Sequence, residues 1–165
     1  MSIAVVYWSG TGNTQAMAEA VVRGIVKGGA EAELLPVAQA DPAKVAAGDV
    51  FALGCPSMGA EELEESEMEP FVQALEGLVS GKKVLLFGSY GWGDGEWMRT
   101  WEERMKEAGA TLIGGQGVIA NEAPDGEAVE ACEKAGEALA EAAKSPGRIA
   151  PPRLVLLYFA IVIIP

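Results

Sequence analysis

Along the first 144 residues, short apolar runs of strand length alternate with longer segments of helical period, and few folds are open to such a chain. The runs predict strands near residues 3–8, 31–36, 49–54, 82–88 and 111–120, with helices near 13–28, 67–79, 96–108 and 125–143 between them. Parallel strands need a crossover connection, so this repetition describes a parallel sheet wrapped on both faces by helices. In the first helix Ala16, Met17, Ala20, Val21, Gly24 and Ile25 recur at three- and four-residue spacing and are expected to face the sheet, and Gly28-Gly29 ends it. Val84-Leu85-Leu86-Phe87 is apolar throughout, as a strand buried on both faces must be, which puts it in mid-sheet. Five strands with right-handed crossovers leave a handful of topologies. The doubly wound order 2-1-3-4-5 is one of two common ones, and pattern alone does not choose between them. In such sheets ligands bind beyond the carboxyl ends of the strands at the switch point, so the loops after residues 8, 54 and 88 carry the functional information.

At 165 residues the chain is long enough for one core, which predicts one domain over residues 1–144. The formal net charge of -12 excludes a phosphate-backbone partner such as nucleic acid, whose binding requires a basic surface, and points to basic partners. No histidine is present, which removes the usual general base, the usual metal ligand and every triad built on one. Cys55 and Cys132 form no C-x-x-C, so neither a zinc site nor a dithiol motif is suggested, no metal is expected, and a reducing cytoplasm fits. Met1-Ser2 runs directly into the first strand, with no basic segment of the kind that opens a signal peptide.

Residues 145–165 break the pattern. Ser145 to Pro152 is rich in proline and basic residues, and Leu154 to Ile164 is apolar except for Tyr158. Eleven helical residues rise about 16 Å, half of a bilayer core, so this is not a transmembrane span. Three readings stay open: a strap packed on this or a neighbouring subunit, the product of a shifted or extended reading frame, and a shallow membrane or partner anchor. The chain is expected to be a monomer, with association through this tail as the alternative.

The first of the three loops, Ser9-Gly10-Thr11-Gly12-Asn13-Thr14, lies between a predicted strand and a predicted helix, where amides and polar side chains converge on an anion at a helix N-terminus. No lysine follows the glycines, so it is not a Walker A loop, and Gln15 stands where a dinucleotide fingerprint needs its third glycine. It reads as a cradle for a terminal monophosphate, or as a well-capped turn. The second loop is Cys55-Pro56-Ser57-Met58-Gly59-Ala60-Glu61-Glu62 and the third Ser89-Tyr90-Gly91-Trp92-Gly93-Asp94-Gly95. Met58 and Trp92 at neighbouring strand ends suit opposite faces of a flat aromatic ligand. A phosphate handle with a ring sandwich describes flavin mononucleotide, FMN.

Tyr7 to Thr14, Gly54 to Gly59 and Phe87 to Met98 together resemble the three FMN loops of short-chain flavodoxins from anaerobic bacteria, over roughly residues 1–144. The resemblance implies a flavodoxin-like doubly wound five-stranded parallel sheet of order 2-1-3-4-5, and a low-potential electron carrier rather than an enzyme. Such a carrier cycles non-covalently bound FMN through oxidised, semiquinone and hydroquinone states. It implies that Ser9, Thr11, Asn13 and Thr14, with Gly10 and Gly12, hold the phosphate, and that Trp92 stacks on the ring opposite Met58. It further implies that the Glu61 carboxylate meets flavin N3 and that Asn121 lies near the ribityl chain or ring edge. Pro56, Ser57, Gly59, Ala60, Ser89, Tyr90, Gly91, Gly93 and Asp94 complete the second and third loops. The resemblance also implies a peptide flip in the Met58-Gly59 turn that brings the Gly59 carbonyl toward N5 of the reduced flavin. Ala60 stands where relatives carry a polar or acidic residue.

Glu61, Glu62, Glu64, Glu65, Glu67 and Glu69 cluster after the second loop and read equally as a docking face for basic redox proteins and as a solvated helix start. Trp97, Trp101 and Tyr90 are expected mainly to pack, Cys55 to end a buried strand, and Cys132 to sit on a helix face. Two other functions compete with the carrier: an interaction module acting through the apolar tail, and a flavin-dependent enzyme such as a quinone reductase, for which the short loops leave little room.

Overall fold

The computed structural model describes residues 2–144; the strap, shifted-frame and anchor readings of residues 145–165 lie outside the described residues. Among the described residues six strands form one parallel sheet: β1 (Ser2–Tyr7), β2 (Glu31–Pro36), β3 (Val50–Gly54), β4 (Lys83–Tyr90), β5 (Thr111–Leu112) and β6 (Val118–Asn121). Their order is β2-β1-β3-β4-β5, with β6 also on β4. The helices are α1 (Asn13–Lys27), α2 (Pro42–Ala46), α3 (Met68–Glu76), α4 (Glu96–Glu107) and α5 (Gly126–Lys144). The expected 2-1-3-4-5 order is therefore the observed one, with one difference. The last strand position is filled by two short pieces, because Ile113–Gly115 turns between them with Gly114 and Gly115 both at positive φ. The short helix α2 is also new; its five residues are too few to show a period, although Asp41 caps it with a 3.0 Å bond from Ala43 N–H and Pro42 opens it.

Strand alternation splits the core in two. Phe51 and Leu53 of β3 with Val84 and Leu86 of β4 face α3 and α4, while Ala52, Leu85 and Phe87 face α1 and α5. All five β3 residues are buried, and β4 lies between β3 and the β5–β6 pair, as its unbroken apolar run predicts. Met17, Ala20, Val21 and Ile25 of α1 are buried as expected, but Gly24 meets α5 rather than the sheet: a Cβ there would strike the backbone carbonyl of Glu133. Trp97 and Trp101 are each 1% exposed, and the Trp97 indole N–H donates to the Cys55 carbonyl at 3.1 Å, which pins α4 to the end of β3. Both cysteines are buried and free, and burial pushes each thiol up to about 12.

On the outer side, Arg104 of α4 bridges to α3. Its guanidinium donates to Glu69 at 2.8 Å and to Glu76 at 2.8 Å. The hydrogen bond from Arg104 holds the Glu69 carboxyl below its usual value of 4.5. A folded-state pKa lowered in this way gives stability that is present above the unfolded pKa and lost as pH falls through the folded one. Glu69→Gln is therefore expected to lower neutral-pH stability by about 1 kcal/mol and to flatten the loss below pH ~4.5, read by denaturant titrations across pH. An acid limb as steep as that of the parent would contradict the assignment.

Candidate functional site

The carboxyl ends of β1, β3, β4 and β6 open on one cavity of about 570 Å³. Ser9, Gly10, Thr11, Asn13 and Thr14 line it from the first loop, Pro56, Ser57 and Met58 from the second, and Ser89, Tyr90 and Gly91 from the third. The three loops singled out in the sequence thus meet at one place. Gly12, Gly59, Ala60, Glu61, Trp92, Gly93 and Asp94 belong to those loops but stand outside the lining, at the rim or beyond. Asn121 lines a separate hollow with Asp125 and Ala128, while the next two residues, Glu122 and Ala123, reach the cavity. Trp8 lines it as well.

Local forces explain the placement. Ser9 Oγ accepts from the backbone N–H groups of Gly12 (3.1 Å) and Gln15 (3.3 Å), so it caps the start of α1 from outside the helix and curls the loop. Thr14, 1% exposed, places its hydroxyl 3.0 Å from Ser89 Oγ, tying the first turn of α1 to the end of β4 beneath the cavity. Ser57 N–H donates to the Ser89 carbonyl at 2.9 Å, carrying the β3–β4 ladder one step into the loops. Beyond it, Met58 and Glu62 exchange two backbone hydrogen bonds of 2.8 Å and close a hairpin with Gly59, Ala60 and Glu61 at its tip. Gly59 has φ +52, left-handed backbone that favours glycine. Glu61 Oε1 accepts from Asp94 N–H at 3.3 Å and packs on Gly93, so the second loop leans on the third. Arg99 in turn fixes Asp94 with a 2.8 Å ion pair. Trp92 is 64% exposed at the tip of the third loop. Glu122 N–H donates to the Tyr90 carbonyl at 2.7 Å with Glu122 at φ +56, and this bend turns the chain after β6 toward the cavity.

Trp8, Glu122 and Ala123 line the cavity but are not among the residues that the sequence assigns to the site. Trp8 was legible by position, since it is the residue leaving β1, where such sheets bind. Glu122 was not, because a positive φ at a non-glycine residue leaves no compositional mark.

These residues fit FMN. The volume lies in the roughly 300–1,000 Å³ range of cofactor pockets. Hydroxyl and amide side chains cluster at the N-terminus of the fifteen-residue α1, which suits a phosphate. Among the described residues, no lysine or arginine lines the cavity. Met58, Tyr90 and Trp8, which packs on Gly10, add apolar surface to the lining, and the exposed Trp92 follows Gly91 of the wall.

A doubly wound parallel sheet with a mononucleotide-sized, polar-floored cavity at its switch point defines a class of nucleotide-binding α/β proteins. Comparison with known proteins narrows it: the flavodoxin family model matches residues 5–144. The chain is 49% identical over 140 residues to the flavodoxin of Megasphaera elsdenii, covering 85% of this chain and 99% of that one. It is 46% identical over 136 residues to the flavodoxin of Clostridium beijerinckii, covering 82% and 97%. The solution structure of two-electron reduced M. elsdenii flavodoxin superposes with a TM-score of 0.78 at 47% identity, over 84% of this chain and 98% of that one. A flavodoxin from the domain Archaea gives the same TM-score at 27% identity, over 87% and 99%. The chain belongs to the flavodoxin family.

Proposed function

We infer that this chain is an electron carrier that binds one FMN without a covalent bond in the 570 Å³ cavity. The observation that carries this is the convergence of the three loops on one cavity in a member of the flavodoxin family. Bound FMN supplies one-electron chemistry, and the polypeptide supplies grip, orientation and electrostatics.

For the grip, we assign Ser9, Thr11, Asn13 and Thr14, with the Gly10 and Gly12 amides, to the phosphate. A cradle with no cation among the described residues leaves the phosphate charge in place, so adding further negative charge nearby is disfavoured, which is the physical basis of a low potential. Met58 and Trp92 would cover the two faces of the ring, and Glu61 would accept from its N3–H. The Gly59 carbonyl would accept a hydrogen bond from the N–H of the reduced ring, and the freedom of glycine at this tip would let the Gly59–Ala60 peptide turn. A net bond of about 1 kcal/mol made only in the reduced form corresponds to roughly 40 mV in a one-electron couple. Glu122 and Ala123, rather than Asn121, form the fourth wall.

The carrier has no substrate of its own, a reading supported by a cavity with room for little beyond a mononucleotide. Its redox partners present basic surfaces, supported by the net charge of -12 and by the exposed Glu62, Glu65 and Glu67 after the hairpin. Association with them weakens as salt is added. The free buried cysteines support a reducing cytoplasm as its place, and no helix among the described residues is long and apolar enough to cross a membrane. Residues 1–144 form the flavin-binding unit.

The deciding experiment is FMN titration of the flavin-free chain followed by stepwise reduction. Uptake of one equivalent, with quenched flavin fluorescence and two separate one-electron steps, is expected. A chain that takes up no FMN, or that is reduced only in one concerted two-electron step, overturns the reading.

A further inference from the structure

Glu64 was grouped in the sequence with an exposed acidic cluster, yet it is only 7% exposed and takes part in none of the ion pairs among the described residues. Its carboxylate is satisfied by donors alone. Oε1 accepts from Ser66 N–H at 2.8 Å and from the Ser66 hydroxyl, and Oε2 accepts from the N–H groups of Glu67 and Met68 at 2.9 Å each. The residue at the cap position of α3, Glu67, offers no side-chain cap, so Glu64 supplies it from three residues upstream. Burial pulls the Glu64 pKa up, but the bonds from the Ser66 hydroxyl and the three N–H groups outweigh it and hold the carboxyl below the usual range, so the group is ionised at neutral pH.

The backbone of Glu64 connects this cap to the cofactor loop. Its N–H donates to Cys55 Sγ at 3.4 Å, at the end of β3, and its carbonyl accepts from Glu69 N–H at 2.9 Å. Two residues before it, Glu62 closes the hairpin with Met58, and Leu63 between them is buried. The entering leg of the hairpin is tied to β4 through Ser57 N–H and the Ser89 carbonyl, with the Cys55 thiol donating to the Pro56 carbonyl at 3.4 Å. Its leaving leg is held where Glu64 is held.

We propose that Glu64 is a positioning residue for the cofactor loop: its buried carboxylate anchors the leaving leg of the 58–62 hairpin and thereby sets how the loop meets the flavin in its different redox states. The inference rests on the FMN reading of the cavity for its redox consequence, but not for its structural one.

Glu64→Gln tests both. A glutamine keeps the shape but turns an NH₂ toward N–H donors that have no acceptor left. In the flavin-free protein, amide hydrogen exchange at Met58 and Glu62 should quicken about tenfold or more, with the amides of β1 and β4 unchanged. In the FMN-loaded protein, the separation between the two one-electron midpoints should change, since the oxidised and reduced forms ask different things of the loop. Ser66→Ala, which removes one donor and leaves the carboxylate, should move both readouts the same way by less, and it serves if the glutamine variant does not fold. Parent-like exchange at Met58 and Glu62 overturns the anchor whatever FMN does. Quickened exchange with parent-like midpoints overturns its redox role. A parent chain that fails to bind FMN sinks the flavin reading and leaves the exchange comparison standing.

Discussion

Gly24→Ala is expected to destabilise the protein by about 3 kcal/mol, although helix propensity alone predicts a gain of about 1 kcal/mol for that change in a helix interior. Packing wins because of what the new methyl would meet. At Gly24 of α1 a Cβ would lie on the backbone carbonyl of Glu133, and at Gly136 of α5 it would lie on the carbonyl of Val21. Helices α1 and α5 are therefore in backbone contact, and a carbonyl inside a helix cannot rotate aside as a side chain can. The helices must separate, and the separation loosens Met17, Val21, Ile25 and Leu139, all fully buried on that face of the sheet. The exposed pairs Arg23–Glu133 and Lys27–Glu137, both 3.1 Å, add little to hold them. For a domain of this size the loss corresponds to a fall in Tm of about 10 °C. Gly77→Ala, at the end of α3 where a Cβ meets nothing, is the control and should stay within about 0.5 kcal/mol of the parent. Equal Tm values for the two variants would show that α1 and α5 do not approach as described. FMN affinity should change little in Gly24→Ala at temperatures where it is folded, since the cavity lies at the other end of α1.

How far a sequence reveals its structure depends on whether the determining interaction is periodic or particular. The sheet was legible because burial on both faces writes an unbroken apolar run, as at Val84–Phe87, and because crossovers of parallel strands have one hand. The strand order became an expectation only through the resemblance of the three loops. The cavity was legible as a location, since strand ends at the switch point can be counted off before any side chain is placed. What escaped was set by single contacts. Gly24 was read as facing the sheet because helical spacing says which residues share a stripe, not which neighbour the stripe meets. The bend at Gly114–Gly115 splits a strand that alternation treats as one. Among the clustered carboxylates, composition cannot tell Glu62, in solvent, from Glu64, which caps a helix from inside, or from Glu69, which Arg104 holds. That distinction bears on function, since only the exposed members can contribute a salt-sensitive field to partner docking.

Trp92→Ala should separate the site from the fold in the opposite sense to Gly24→Ala. Trp92 is 64% exposed, so the flavin-free protein loses little when its ring is removed, and its unfolding midpoint should stay within about 0.5 kcal/mol of the parent. A large indole held in water at the tip of a glycine-punctuated loop, beside a cavity of cofactor size, is placed for a flat partner. Stacking of an aromatic side chain on a heterocycle contributes about 1–3 kcal/mol, so the Kd for FMN should rise roughly ten- to a hundredfold. Trp92→Phe keeps a ring of smaller area and should fall between the two. Tyr90 does not substitute for it, because its ring packs on Trp97 with centroids 5.6 Å apart and belongs to the wall of the cavity. Equilibrium dialysis of the three flavin-free proteins against FMN measures the series directly, with the unbound flavin as the signal. If alanine binds FMN as tightly as tryptophan does, the exposed indole is not a face of the cofactor site. The third loop would then hold the ligand only through Ser89, Tyr90 and Gly91, the residues it contributes to the cavity wall.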